Sequence, residues 1–325
     1  MENLIKKLDL NEYITNFSKL FAREKSIILE GDINIHYKII SELSKYNINQ
    51  PLSVQNLDSQ LMHLQKQGVL RVYEIYEFIK IINYFLYLKR FNFEGKLFEW
   101  MDKIIIPNDI LKICEYFDDK ANLKEGVDED FDNIKQAIYK NKEEIKQSLY
   151  KTINSSKIKP YLVDMQVHFI NEQECLLVRG GFNHILSGSV IDRSNSGFFY
   201  VIPHSVSDLK EKQSDLKNKQ EEILFKLCKE ISHIFEKNLL FLKFINKEFD
   251  KFDHYQARIF FSKIGDKNFI LPSKKDENRL VDFCHPALSS PKPISIDFSK
   301  SVIMITGVNA GGKTMMLKSI LSAIF

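Results

Sequence analysis

Apolar residues recur at three- and four-residue intervals through the first third of the chain. Leu4, Leu8, Leu10, Ile14, Phe17 and Phe21 fall on one stripe and predict an amphipathic helix across the N-terminus. Further helices are predicted over 35–43, 53–68 and 73–90, with Ser53 and Asp58 as caps and Gly68 as a stop. In the last of these, Ile75, Phe78, Ile79, Ile82, Phe85 and Leu86 make a broad apolar face that reads as core.

Beyond residue 128 the pattern lengthens. Phe131, Ile138 and Ile145 stand seven apart, with Ile134 and Leu149 at intermediate positions, and predict a lysine-rich helix over 129–154. Leu209, Leu216 and Ile223 repeat that spacing and run on through Leu227, Ile231, Ile234 and Phe235, predicting a second helix over 207–249. Two heptad-like helices around an insert predict an antiparallel pair with a small domain at its tip. Within the insert, 161–205, the period falls to two. It reads as a meander: Val167 and Phe169, a turn at Asn171, Cys175 to Arg179, then strands over 188–191 and 198–202. The last segment predicts strands over 269–271, 280–283, 294–296 and 302–306, the final one buried and parallel.

The chemistry lies directly after that final strand. Gly307-Val308-Asn309-Ala310-Gly311-Gly312-Lys313-Thr314 fits G-x-x-x-x-G-K-[ST], and Met315, Met316, Leu317, Ile320 and Leu321 open a helix behind it. Glycines let backbone N–H groups approach a polyphosphate at the positive end of a helix. The cofactor-binding set is therefore Gly307, Asn309, Ala310, Gly311, Gly312, Lys313, Thr314 and Met315, with ATP as the nucleotide. Lys313, the catalytic candidate, neutralises β/γ-phosphate charge, and the Thr314 hydroxyl takes one position on Mg²⁺. Only 12 residues follow Lys313 in the 325-residue chain. A second-strand acid for the metal is not among them, so the chain is expected to stop inside its ATPase domain and not to hydrolyse ATP by itself.

Composition narrows the class. At 44% hydrophobic and 27% charged, the chain is an ordinary globular one. A net charge of +3 does not demand a nucleic acid, so a basic surface has to come from local clustering. Cys114, Cys175, Cys228 and Cys284 form no C-x-x-C pair, which argues against a zinc ribbon and fits reduced thiols. No stretch approaches the ~20 apolar residues of a membrane span, and the expected location is cytoplasmic. The neighbours Cys284 and His285 make no metal site, and His285 is expected to pack and hydrogen-bond. Asp192, Ser194 and Ser196 read as turn chemistry.

Three local features resemble the MutS family of DNA-binding ATPases. The run from Ile305 to Thr314 is similar to its Walker A segment, with Val308 where the family has Pro; His285-Pro286 lies upstream; and the run from Gly188 to Gly197, followed by Pro203, resembles the clamp segment of the second bacterial branch. That branch lacks the mismatch-reading and connector domains. The resemblance implies a mainly α chain with a small β insert: a helical core (1–127), a first lever helix (128–160), a β-rich clamp (161–205), a second lever helix returning to the core (206–263) and the start of a P-loop α/β ATPase domain (264–325). It implies a nucleoid-associated homodimer that clasps duplex or branched DNA through its backbone, with ATP and Mg²⁺ gating the clamp, in recombination suppression or repair. Lys157, Lys159, Arg179 and Arg193 are the DNA-contact candidates. Two alternatives stay open: a non-enzymatic coiled-coil scaffold with a structural nucleotide site, and another ABC-type chromosome-maintenance ATPase.

Overall fold

The computed structural model describes residues 2–171, 173–264, 279–299, 302–308 and 312–324. In chain order its elements begin with seven helices: α1 (Glu2–Lys7), α2 (Asn11–Ser18), α3 (Ile33–Leu43), α4 (Asp58–Gln65), α5 (Val72–Leu88), α6 (Gly95–Asp102) and α7 (Asn108–Glu115). The long helix α8 (Glu129–Ile153) leads to strands β1 (Leu162–Ile170), β2 (Gln173–Val178), β3 (Gly188–Arg193) and β4 (Phe199–Pro203). Then come α9 (Ser207–Lys237), α10 (Leu239–Ile264), β5 (Arg279–Phe283), β6 (Ile294–Asp297) and α11 (Lys313–Ile324). The chain is mainly helical with a small sheet insert, as the periodicities predict. None of the described helices is long and apolar enough to cross a membrane.

The chain divides into two compact units. One comprises residues 1–66, 76–114 and 235–325. Its core forms where α5 and α10 bring their apolar faces inward: Ile79, Ile82, Phe85 and Leu88 from the first, Leu242, Ile245, Phe249 and Phe252 from the second, all fully buried. Trp100 on α6 stacks on Phe252 with ring centroids 5.9 Å apart. The loop after α2 is fastened to α10 by polar groups: both carboxylate oxygens of Asp253 accept the Ala22 N–H, at 3.1 and 3.0 Å. Arg23, itself buried, lies on Asp250.

Three helical expectations need correction here. The N-terminal stripe is two helices, because Asp9 turns the chain with φ 56 so that both Leu8 and Leu10 can be buried. The helix predicted over 53–68 is only α4; Ser53 does not cap it, its carbonyl accepting instead from Lys80 Nζ at 2.9 Å. The helix predicted over 207–249 breaks at Asn238, whose carbonyl accepts the first bond of α10 from the Leu242 N–H at 3.0 Å, as an N-cap residue does.

The other unit comprises residues 67–75 and 115–234. Helix α8 starts at Asp128, whose side chain accepts the Phe131 N–H. From its midpoint onward it meets the start of α9: Asn141 Nδ2 donates to the Leu209 carbonyl at 3.2 Å, and Glu144 lies 3.6 Å from Lys212. Ile145, Leu149 and Ile153 of α8 join Leu162, Cys175, Leu176, Val178, Val201 and Val206 in one core. The sheet has the order β1-β2-β4-β3 and is antiparallel throughout, so it is not the predicted meander. The strand composition supplies the reason. Strand β4, Phe-Tyr-Val-Ile-Pro, takes the interior place with β2, while β3, Gly-Ser-Val-Ile-Asp-Arg, keeps its polar groups in solvent at an edge. Gly188 permits the close pairing, since a Cβ there would lie 2.6 Å from the Ile202 carbonyl oxygen.

Candidate functional site

Of the predicted cofactor-binding residues, Gly307, Gly312, Lys313, Thr314 and Met315 are described; Asn309, Ala310 and Gly311 lie outside the described residues, as does the strand expected over 269–271. Gly312 adopts φ +80, a left-handed conformation that an L side chain takes only under strain. From there the chain enters α11 at Lys313, and the first bond of the helix runs from the Met316 N–H to the Gly312 carbonyl at 2.9 Å. A helix that starts so leaves the N–H groups of Lys313, Thr314 and Met315 outside its own ladder, with the positive end of its dipole behind them. Lys313 folds back across the loop and donates from Nζ to the Gly307 carbonyl at 2.5 Å, joining the two ends of the motif. An ammonium, free helix amides and a left-handed glycine in one turn fit a polyphosphate. When bound, ATP–Mg²⁺ supplies the phosphates that Lys313 and those amides would hold and the cation that the Thr314 hydroxyl would touch.

The segment before the motif departs from expectation. Residues 302–306 form no strand, Val302 and Met304 are more than four-fifths exposed, and β5 and β6 pair only with each other among the described residues. A parallel strand needs a hydrogen-bonded neighbour running the same way. No described strand offers one to 302–306.

His285 packs and hydrogen-bonds as expected. It is 2% exposed, and its Nε2 meets the Leu8 carbonyl at 3.0 Å. The Asp9 turn and Arg23, both prominent in the folded chain, carry no local sequence signal; their charged partners, Lys318 and Asp250, stand more than two hundred residues away.

The four basic candidates of the insert share one end of the sheet. Pairing runs Leu162 to Val178, Val178 to Phe199 and Phe199 to Arg193, a row across all four strands. Arg193 ends that row, with its guanidinium 4.7 Å over the Phe199 ring. Arg179 follows Val178 directly, and Lys157 and Lys159 stand just before Leu162. All four are exposed, and none forms an ion pair among the described residues. Of the nearby carboxylates, Asp164 meets His168 at 2.9 Å and Asp192 accepts the Arg193 backbone N–H at 2.7 Å. Burial pushes the Cys175 and Cys228 thiols up to about 11, which leaves them unreactive.

A mainly helical chain with a four-stranded insert and a phosphate-loop motif opening a helix is the class defined so far. No protein-family model matches the chain. Proteins named endonuclease MutS2 from two strains of Helicobacter pylori, 26695 and J99, are 36% and 37% identical to it over 328 aligned residues. Those alignments cover 99% of this chain and 43% of each relative. The endonuclease MutS2 of Borreliella burgdorferi is 27% identical over 68% of the chain and 28% of its own length. The chain belongs to the MutS family. It spans less than half the length of these relatives.

Proposed function

We propose that the chain is part of an ATP-dependent DNA-binding protein of MutS type, a homodimer that clasps duplex or branched DNA while ATP–Mg²⁺ binding and hydrolysis gate the clasp, in recombination suppression or repair. The observation that carries the nucleotide half is the turn at Gly312 with Lys313 at the first position of α11. In this reading Lys313 carries the charge of the reacting phosphates and Thr314 the metal.

The DNA half rests on the row Leu162–Val178–Phe199–Arg193 and the four cations at its end. Three strand spacings span about 15 Å, comparable with the ~12 Å major groove. Cations along such a line meet phosphates on both sides of a groove without reading bases. Contacts of this kind fix position, carry no sequence information, and weaken steeply with salt. The insert offers no recognition helix to a groove.

The test is a salt titration of duplex binding with Lys157, Lys159, Arg179 and Arg193 all changed to Ala. Four phosphate contacts contribute about −3.6 to the slope of log K against log salt, so the variant should lose most of that slope. Loss of affinity should be similar on every duplex sequence. An unchanged slope would remove the insert from the DNA contact and favour a protein-interaction module.

A further inference from the structure

The turn between α1 and α2 holds helix α11 through Asp9 and the segment after β5 through Leu8. Lys318 Nζ donates to Asp9 Oδ2 at 2.5 Å, and His285, which leads out of β5, donates from Nε2 to the Leu8 carbonyl at 3.0 Å. The direction of that second bond is fixed, because His285 Nδ1 accepts the Ala287 N–H at 3.3 Å and so cannot carry the proton.

The turn itself has little freedom. Leu8 and Leu10 are buried to 2% on either side of Asp9, whose φ of 56 holds the carboxylate outward. The N–H groups of Leu8, Asp9 and Leu10 are all bonded back to α1 carbonyls. Lys318 stands five residues beyond Lys313, about 7.5 Å along the helix axis. Ser319 and Ile320, next to Lys318, are buried. The middle of α11 is therefore seated on one face, while its N-terminus carries Lys313 toward the loop.

We propose that Asp9 is a positioning residue for the nucleotide loop. Through Lys318 it sets the rotation and tilt of α11, and so the direction of Lys313 and of the first-turn amides. The inference rests on the nucleotide reading above. A half-exposed ion pair alone contributes little, up to about fivefold in an equilibrium. Here it acts with the His285 bond on the neighbouring residue, so one rigid turn holds both the helix behind the loop and the segment that follows β5. A displaced α11 aims its amides away from the phosphates, and binding weakens without any lost contact to nucleotide.

The experiment is a double-mutant cycle on ATP–Mg²⁺ affinity in the full chain, read by calorimetry. Asp9→Asn keeps the shape and the tolerance of left-handed backbone while removing the charge. Lys318→Met keeps most of the stem. Each single change should weaken binding about three- to fivefold, and the pair should be no weaker than either alone, the signature of two groups acting through one contact. In parallel, ATP–Mg²⁺ should slow hydrogen exchange at the Asp9 and Leu10 amides of the unaltered chain, since coupling is reciprocal. Single variants with unaltered affinity, or effects that add in the double variant, overturn the role of Asp9. If a variant does not fold, exchange at those two amides decides, and no response to ATP overturns it. No saturable ATP binding by the unaltered chain overturns the nucleotide reading, and the positioning role with it.

Discussion

Lys313→Ala should lower ATP–Mg²⁺ affinity by about 100-fold, the upper end for a hydrogen bond to a charged group. Lys313 supplies the one side-chain cation of the motif, and the helix amides that share the phosphates with it are neutral. Its only described bond is to the Gly307 carbonyl, which water can replace. Helix content by circular dichroism should therefore stay the same. Lys313→Arg should rescue little, since a planar fork does not follow the path of a flexible ammonium. Calorimetric titration of both variants checks this, and wild-type affinity in Lys313→Ala would show that the nucleotide is held elsewhere.

Arg23→Ala should cost about 1.5–3 kcal/mol of stability, the range for hydrogen bonds to a charged group, since Arg23 is buried while Asp250 stays 38% exposed and keeps Lys25. All five guanidinium donors are used: two on Asp250 at 2.8 and 2.7 Å, two on Asn246 at 2.8 and 3.1 Å, and one on the Gln55 carbonyl at 3.4 Å. The guanidinium also lies 5.5 Å over the Phe249 ring. Truncation leaves the buried Asn246 without its Arg23 donors and Asp250 with Lys25 alone. Arg23→Lys should recover only part, because one ammonium cannot reach three residues at once.

A pH dependence accompanies this. Burial works against the charged form of Asp250, but Arg23 and Lys25 outweigh it and hold the carboxyl below its usual range. A depressed folded value means that the group stabilises the protein above its unfolded pKa of ~3.9 and that this contribution is lost as pH falls through the folded value. The gap between wild type and Arg23→Ala should therefore narrow below about pH 4. Urea midpoints at pH 7 and pH 3 measure both effects, and equal midpoints at pH 7 would contradict the first.

How much of this was legible in the sequence depended on the range of the cause. Helix α5 was readable because its apolar spacing and its burial have the same period. The four strands of the insert were readable for the same reason, but their order was not. Sheet order depends on which strand tolerates an edge, a comparison between β3 and β4 and not a property of either. The break at Asn238 interrupts no hydrophobic pattern, so periodicity runs straight through it. Arg23 stands in Phe-Ala-Arg-Glu-Lys with no periodic neighbours, and its partner Asp250 is 227 residues on. The turn at Gly312 and the start of α11 at Lys313 were legible because the motif that carries them is local. The contacts of Leu8 and Asp9 with its surroundings span 277 and 309 residues and leave no local trace.

The central claim is that one chain links a nucleotide site to a DNA-contacting sheet. It is tested most directly by measuring duplex affinity with and without saturating ATP–Mg²⁺ at fixed salt. Linkage predicts that the two affinities differ, by about 5- to 150-fold for a typical coupling, and that DNA shifts ATP affinity by the same factor. Lys313→Ala should bind DNA with a single affinity whether or not ATP is added. Equal affinities in the unaltered protein would contradict the account.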